Sequence, residues 1–479
     1  MGLLSGISAF DSKQQIDTIQ PHTPSIMEGH VSDLKEDSDL EQHEVFKQTK
    51  DGVNFRTVTW QRAIIIFLKV QIATGVLGIP GAMYSLGAVG GAISIVGWQF
   101  LNLYTMIIVA EFRNRHPECH TLVDMCGLLW GPIGKEAVGL LFIISFILCT
   151  GSGILGISVA LNALSDHGAC SVGFSVVGLV LITMFSSIRT WDKMTWPMTA
   201  AFISVISAVL VVVIGVTFNA RPAAAPQTGP FELGFNVIAY PTFAAGMVAS
   251  ATIFVSSACG PNYLVVIAEM KNPKDYKKAA VIVAFIVSSV YLSFSMVIYY
   301  YCGQWVATPS LGSAGPLLKK VAYGIAFPSL VVSGGIFNHT SAKYMFVRFL
   351  RKSEHLQKNS WVHWSTWIGC NLFGTIVAFI LASSIPIFNY LLALTGSVCF
   401  APMCLIFPIC FWLHDYSGYW KGGSKHLAIY AINILIMLIG LLLFVGGTYG
   451  TVLEIKQAYA SGSLGSAFSC ADNSNTVSS

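Results

Sequence analysis

The sequence predicts an all-α polytopic membrane protein of about eleven transmembrane helices, and three observations predict it. First, 54% of the 479 residues are hydrophobic and only 10% are charged, with a mean hydropathy of +0.66, where soluble domains carry about 25% charged residues. Second, apolar runs of the roughly 20 residues that a bilayer span requires recur about eleven times, centred near Gly75, Leu101, Thr150, Leu179, Val205, Phe254, Val290, Ser333, Gly374, Phe400 and Ile436. Third, 22 of the 27 Lys and Arg residues fall in the N-terminal segment and in alternate loops. That asymmetry puts the N-terminus in the cytosol. An odd number of spans then sends the tail from about Val452 outward or into an organelle lumen. The net charge of +4 is accordingly a signature of topology and carries no implication of nucleic-acid binding.

Residues 1–59 are of different material, with ten of the 23 acidic residues against five Lys and Arg. They read as a disordered cytosolic tail, whose lysines and serines suit regulatory proteins that control internalisation. Because this tail precedes the first apolar run, no cleavable signal is expected, and span one acts as its own anchor.

Span one carries Lys69-Val70-Gln71-Ile72-Ala73-Thr74-Gly75-Val76-Leu77-Gly78-Ile79-Pro80, an apolar helix interrupted at mid-depth. Unpaired backbone in hydrocarbon costs several kcal/mol, so a break there survives only inside protein or beside a polar cavity. Span six has its own break, Ser256-Ser257-Ala258-Cys259-Gly260-Pro261-Asn262. The transmembrane domain, 60–451, divides into spans one to five (about 60–217), spans six to ten (about 240–414) and an extra helix (about 427–450), followed by the tail 452–479. Five spans per half invert the second half relative to the first. Interrupted helices at matching positions of inverted halves point to a midplane binding site of a secondary transporter. The small-residue stretches Gly151-Ser152-Gly153-Ile154-Leu155-Gly156 and Ser333-Gly334-Gly335 are expected to let helices approach closely, with Gly151 or Gly153 as a minor candidate for the pocket.

Other chemistries find little support. None of the eleven cysteines stands in a metal-ligand spacing, and most lie in apolar spans; Cys170, Cys302 and Cys470 fall on the non-cytosolic side, where a disulfide is allowed. Asp and Glu are missing from mid-membrane, and His116 and His120 have no spaced partner, so an enzyme is disfavoured. No span carries the repeated polar stripe of a channel. Neither a cofactor nor a metal is implied. Trp60, Trp305, Trp361, Trp364, Trp412 and Trp420 fall near span ends and read as interfacial anchors.

The run Thr74-Gly75-Val76-Leu77-Gly78-Ile79-Pro80, the run Glu269-Met270-Lys271-Asn272-Pro273-Lys274-Asp275-Tyr276, and Ile385-Pro386-Ile387-Phe388 leading to Leu394-Thr395-Gly396-Ser397 resemble the amino acid/auxin permease family. Phe337-Asn338-His339-Thr340-Ser341-Ala342-Lys343-Tyr344-Met345-Phe346 and the acidic tail are most similar to fungal neutral and aromatic amino acid permeases of the methyltryptophan-resistance type. The resemblance, over about residues 55–450, implies a LeuT-like fold of two inverted five-helix repeats plus one helix, and amino-acid transport driven by a cation gradient. In sodium-coupled relatives a cation sits between helix one, just before its break, and helix eight. Here Lys69 stands six residues before Gly75, and its ammonium would do the sodium ion's electrostatic work.

A broken helix can serve an amino acid without charged side chains. Amides opening the outer half of span one near Leu77 suit the carboxylate, and carbonyls ending the inner half of span one and the outer half of span six suit the ammonium. The expected substrate-binding residues are Thr74, Gly75, Val76, Leu77, Gly78, Phe254, Ser256, Ser257, Ala258, Cys259 and Gly260. With no carboxylate or arginine at this depth, a charged substrate side chain would lack a partner, so neutral substrates are expected. For coupling, the candidates are Lys69, Asn338, His339 and Ser341: Lys69 and His339 are ionisable, each about 14 Å deep at 1.5 Å per residue, and intramembrane ionisable groups are functional by default. Similar depth allows them to be neighbours. Glu269 is a candidate gate partner for a basic residue. The function expected is secondary active transport of neutral aliphatic and aromatic L-amino acids by proton-coupled symport and alternating access, in the plasma membrane in preference to the vacuole. The alternatives are an amino-acid sensing receptor of the same fold and a vacuolar exporter.

Overall fold

A computed structural model describes residues 58–461 and 467–474, apart from Pro117, His120, Cys259, Lys352, Gln357, Asn359 and Pro386. The expected N-terminal tail lies outside the described residues except for Val58 and Thr59. The described residues belong to one compact unit, Lys50–Ser479.

They are almost wholly helical, with nine helices long and apolar enough to cross a membrane. Span one consists of Trp60–Gln71 and the start of Ile79–Arg115; Gly87, at φ 76°, breaks the latter helix and begins span two. Spans three to five are Leu122–Ser165, Ser171–Ser186 and Trp191–Phe218. Span six is Phe243–Ser257 with Gly260–Ala268, and span seven is Tyr276–Cys302. Spans eight and nine are Pro316–Leu350 and Trp361–Ser384. Span ten runs from Phe388 to Asp415 through two π-helical turns, and span eleven is Ser424–Ala460. The order of these segments follows the eleven spans that the hydropathy pattern predicts.

Local chemistry sets the ends. Thr59, Thr121, Thr242 and Ser360 cap spans one, three, six and nine, each side-chain oxygen accepting an amide of the first turn. Gly87 is required at the turn into span two: a Cβ there would lie 2.6 Å from the Ala239 nitrogen, in a loop that Ala88 and Val89 bind through their amides. Span four buries only Ser171, Ser175, Gly178, Ile182 and Ser186, one stripe at helical spacing. Val176, Val177, Val180 and Met184 form its exposed face.

Small residues bring the spans together. A Cβ on Gly153 of span three would lie 2.8 Å from the Gly334 Cα of span eight, and one on Gly396 of span ten 2.6 Å from the Ala251 carbonyl of span six. The two glycine-rich stretches are thus mutual packing surfaces, as expected. Gly151 packs toward Ala378 and Leu391.

At the end of the molecule where Lys and Arg concentrate, Val58 pairs with the chain just after span six: its amide donates to the Glu269 carbonyl at 3.0 Å, and Lys271 donates back to Val58 at 2.9 Å. At the other end a disulfide joins Cys170 to Cys470, tying the tail to the start of span four; Cys302 is a buried free thiol. Of the expected anchors, Trp60, Trp361, Trp364 and Trp420 are exposed, whereas Trp412 is buried with its ring stacked on Tyr416.

Candidate functional site

Span one leaves helical geometry at Ile72 (φ −83°, ψ 65°), makes a 3-10 turn at Gly75–Leu77 and resumes at Ile79. The outer half therefore begins two residues later than the sequence suggests, because Leu77 and Gly78 spend their amides inside the turn, on Thr74 and Gly75 carbonyls. Span six leaves helical geometry at Ala258 (φ −90°, ψ 74°). The two breaks touch. A Cβ on Gly75 would lie 2.6 Å from Ser256 Oγ and 3.1 Å from Ser256 Cα, so only glycine allows this approach.

A phenol and two amides hold the breaks in register. Tyr291 of span seven sets its hydroxyl 2.6 Å from the Gln71 carbonyl and 3.1 Å from the Ser256 carbonyl, the ends of the two half-helices. Gln71 Nε2 donates to Gln99 Oε1 at 2.8 Å and to the Ser257 carbonyl at 3.1 Å, while its Oε1 accepts from Tyr263 at 2.8 Å. Asn102 Nδ2 donates to Ser257 Oγ at 3.2 Å. These groups are buried, where a lost partner costs about 1–3 kcal/mol.

Between the breaks lies a cavity of about 30 Å³, with Thr74, Gly75, Ser152, Ser256, Asn262 and Phe337 among its walls. A cavity needs roughly 10–15 Å³ to hold one water, so this one has room for water. Among the described residues its lining includes no carboxylate, lysine or arginine. Thr74 Oγ1 is 3.2 Å from Ser152 Oγ; Ser152 already donates its single hydrogen to the Cys149 carbonyl at 2.7 Å, so Thr74 is the donor. Asn262 Oδ1 accepts from Thr340 at 3.0 Å, whereas its buried Nδ2 has no partner among the described residues.

Of the expected binding residues, Thr74, Gly75, Ser256 and Ala258 line this cavity, and Ser257 and Gly260 line a smaller one beside the Gln71 network. Val76 and Leu77 are buried outside both linings. Gly78 faces Asn389 and Leu392 of span ten. Phe254 turns away, its ring 5.0 Å from Trp98. Cys259 lies outside the described residues. On span three the lining residues are Cys149 and Ser152 in place of Gly151.

Lys69 is fully buried, and none of the ion pairs found among the described residues includes it. Its Nζ donates to Ser329 Oγ at 2.8 Å and Ser333 Oγ at 2.7 Å, both on span eight. Lys69 thus bonds from helix one to helix eight through two hydroxyls. Asn338, His339 and Ser341 are not among them. Asn338 Nδ2 donates to Ser186 Oγ at 2.8 Å, Ser341 donates to the Asn338 carbonyl at 2.9 Å, and His339 sits between Trp191 and Trp367 with Nδ1 3.2 Å from the Ser186 carbonyl. Lys69 and His339, which similar depth allowed to be neighbours, have separate partners. Six residues beyond Ser333 is about 9 Å along the axis and roughly 120° round the helix.

A family model described as transmembrane amino acid transporter protein matches residues 56–453. The chain belongs to the transmembrane amino acid transporter family. It is 48% identical over 468 residues to a transmembrane transporter of Gibberella moniliformis, covering 96% of this chain and 99% of that protein. It is 27% identical over 426 residues to the N amino acid transport system protein of Neurospora crassa, covering 87% and 89% of the two. Among solved structures it is similar to a Na+-coupled sialic acid symporter in a substrate-bound outward-open state (TM-score 0.53, 13% identity, 90% of this chain and 98% of that one). It is also similar to a nucleobase-cation-symport family transporter in a closed conformation (TM-score 0.54, 14% identity, 90% and 99%). At such identities the likeness shows the fold, which is the LeuT-like one. The protein is a multi-pass membrane transporter of amino acids and not an enzyme.

Two further clusters in this transporter lie outside the central cavity, and the first gives Glu269 the basic partner that the sequence allowed it. Glu269 pairs with Lys343 of span eight at 2.7 Å, both side chains largely buried, across the face where Val58 meets Met270. His116 meets His414 and Asp415: Asp415 Oδ1 lies 3.2 Å and 3.1 Å from the two imidazoles, and Oδ2 lies 2.8 Å from Arg115. These residues stand far apart in the chain, so spacing could not reveal them. His120 lies outside the described residues.

Proposed function

We propose that this transporter carries neutral aliphatic and aromatic L-amino acids by proton-coupled symport, with its N-terminus in the cytosol and its place in the plasma membrane. The observation that carries the reading is the meeting of two broken helices, at Gly75 and Ser256, around a cavity with no charged side chain among its described lining residues. A zwitterion can be bound there by backbone ends alone. Its carboxylate is assigned to the start of the 3-10 turn at Gly75 and Val76, since the Leu77 and Gly78 amides are spent within the turn, with Asn262 Nδ2 as a second donor. Its ammonium is assigned to the Gln71 and Ser256 carbonyls in place of the Tyr291 hydroxyl. A lysine or glutamate side chain would be desolvated without a partner. The cavity of about 30 Å³ corresponds to a closed state, and substrate enters when the halves part.

Lys69 is the proposed proton carrier. Its hydroxyl partners suit both protonation states, because a hydroxyl accepts from an ammonium and can donate to an amine. Ser333 already donates to the Ser329 carbonyl at 2.7 Å, which leaves Ser329 as the group able to reverse its role. Charged, Lys69 bridges span one to span eight; neutral, it loosens that bridge and frees the inner half of span one. The Cys170–Cys470 disulfide supports a non-cytosolic tail, because disulfides persist in oxidising compartments.

Radiolabelled uptake tests the specificity. Leucine and phenylalanine are expected to compete with each other, and lysine and glutamate to compete with neither. Equal competition by the charged amino acids would overturn the reading.

A further inference from the structure

Away from the central cavity, two helix ends bring together three side chains of the kinds that ligate metal ions. His116 caps the helix Ile79–Arg115, and His414 and Asp415 close the helix Phe407–Asp415 of span ten. About one turn inside, Phe112 stacks on Phe411 with ring centroids 4.9 Å apart, which sets the two ends side by side. Lys277, 2.6 Å from Glu111, places the cluster at the end of the molecule where Lys and Arg concentrate.

The donor atoms converge. Asp415 Oδ1 lies 3.2 Å from His116 Nε2 and 3.1 Å from His414 Nδ1, and one donor atom from each residue lies within 4.8 Å of the others. Donors of a tetrahedral zinc site, about 2.0–2.1 Å from the ion, stand roughly 3.3–3.4 Å apart. The carboxylate is therefore already near ligand spacing from both rings. His414, whose side chain is 47% exposed, has room to turn its ring onto the same ion.

The surrounding groups suit an ion. Arg115 lies 2.8 Å from Asp415 Oδ2, the other carboxylate oxygen, and leaves Oδ1 to the imidazoles. To ligate, each imidazole must carry its hydrogen on the nitrogen that faces away from Oδ1. For His116 that nitrogen is Nδ1, 3.5 Å from Glu118 Oε1, the carboxylate–imidazole pairing that orients metal-bound histidines. For His414 it is Nε2, on the half-exposed ring. Two imidazoles and one carboxylate, with a fourth position left for water, select a divalent transition ion such as zinc over magnesium or calcium, which take oxygen ligands.

Both helices lead to the centre. Span two carries Gln99 and Asn102, which bond Gln71 and Ser257 at the breaks, and span ten carries Leu392 and Phe400, which line the central cavity. We propose that His116, His414 and Asp415 form a regulatory site for a divalent transition-metal ion of the zinc type, which staples span two to span ten and slows the opening of the transporter at this end. The clamp rests on alternating access and holds whichever amino acid is carried.

Equilibrium dialysis of Zn2+ against the purified full-length protein tests the site, with Mg2+ as the control that should not compete. His414→Ala, at an exposed position, and His116→Gln are each expected to weaken one bound equivalent by about tenfold or more relative to wild type. Co2+ is expected to give wild type the visible absorption of a tetrahedral complex, and to give His414→Ala none. At the Zn2+ concentration that fills this equivalent, the maximal rate of uptake of the amino acid carried fastest is expected to fall several-fold in wild-type vesicles with KM unchanged, and His414→Ala is expected not to respond. Identical Zn2+ binding by wild type and both variants overturns the site and leaves an ion-pair cluster only. Loss of the equivalent in the variants, with wild-type uptake indifferent to Zn2+, overturns the clamp.

Discussion

The hydroxyl of Tyr291 lies 2.6 Å from the carbonyl oxygen of Gln71, the last helical residue before the break in span one. The same hydroxyl is 3.1 Å from the Ser256 carbonyl at the break of span six. One phenol thus joins the ends of two half-helices belonging to different repeats. Tyr291→Phe keeps the ring and removes the oxygen, leaving buried carbonyls short of a partner at a cost of about 1–3 kcal/mol. The expected result is a maximal uptake rate reduced roughly tenfold with the protein still folded, read from initial rates in vesicles and from a melting curve. Unchanged uptake would remove Tyr291 from the site.

Lys69→Met is expected to abolish accumulation driven by a proton gradient while leaving exchange of substrate across the membrane, because only the coupling group is lost. Lys69→Arg keeps a charge that is never surrendered and is expected to stop the cycle in both assays. Ser329→Ala is expected to impair uptake more than Ser333→Ala, since Ser333 already donates to the Ser329 carbonyl. Full gradient-driven accumulation by Lys69→Met would exclude it from coupling.

The Glu269–Lys343 pair and the Val58–Met270 bridge close the end of the molecule opposite the disulfide. Breaking one partner of a largely buried pair leaves the other charge uncompensated, so Lys343→Met is expected to favour opening toward that side. Cys149, which lines the central cavity, supplies the reporter. Its alkylation by a water-soluble maleimide, followed by mass spectrometry, is expected to rise about tenfold, equivalent to roughly 1.4 kcal/mol. No change in the Cys149 rate would deny the pair a gating role.

Orientation can be read from the tail. An impermeant reductant added outside intact cells is expected to release Cys470 for labelling if the transporter occupies the plasma membrane with its N-terminus inside. Release only by a permeant reductant would place the disulfide in a lumen or reverse the topology.

The sequence exposed those features that rest on local rules. Glycine and proline at mid-depth marked both breaks, hydropathy marked the spans, and the small-residue stretches became the Gly153–Gly334 contact. What stayed hidden depends on rotation about a helix axis. Phe254 lies next to the break in sequence but faces Trp98, and His339 lies at the depth of Lys69 but between two tryptophans. Gln71, Gln99, Asn102 and Tyr291 carried a signal of their own, polar groups in mid-span that need partners. Local sequence does not distinguish them from polar residues that bond within their own helix, so their partners emerge only in the fold.

Uptake of a panel of labelled amino acids, with sodium removed and the proton gradient collapsed in separate experiments, tests the central claim most directly. The expected result is accumulation of leucine and phenylalanine that survives sodium removal, disappears with the proton gradient, and is absent in Lys69→Met even with the gradient intact. Accumulation that requires sodium and ignores the proton gradient would contradict it.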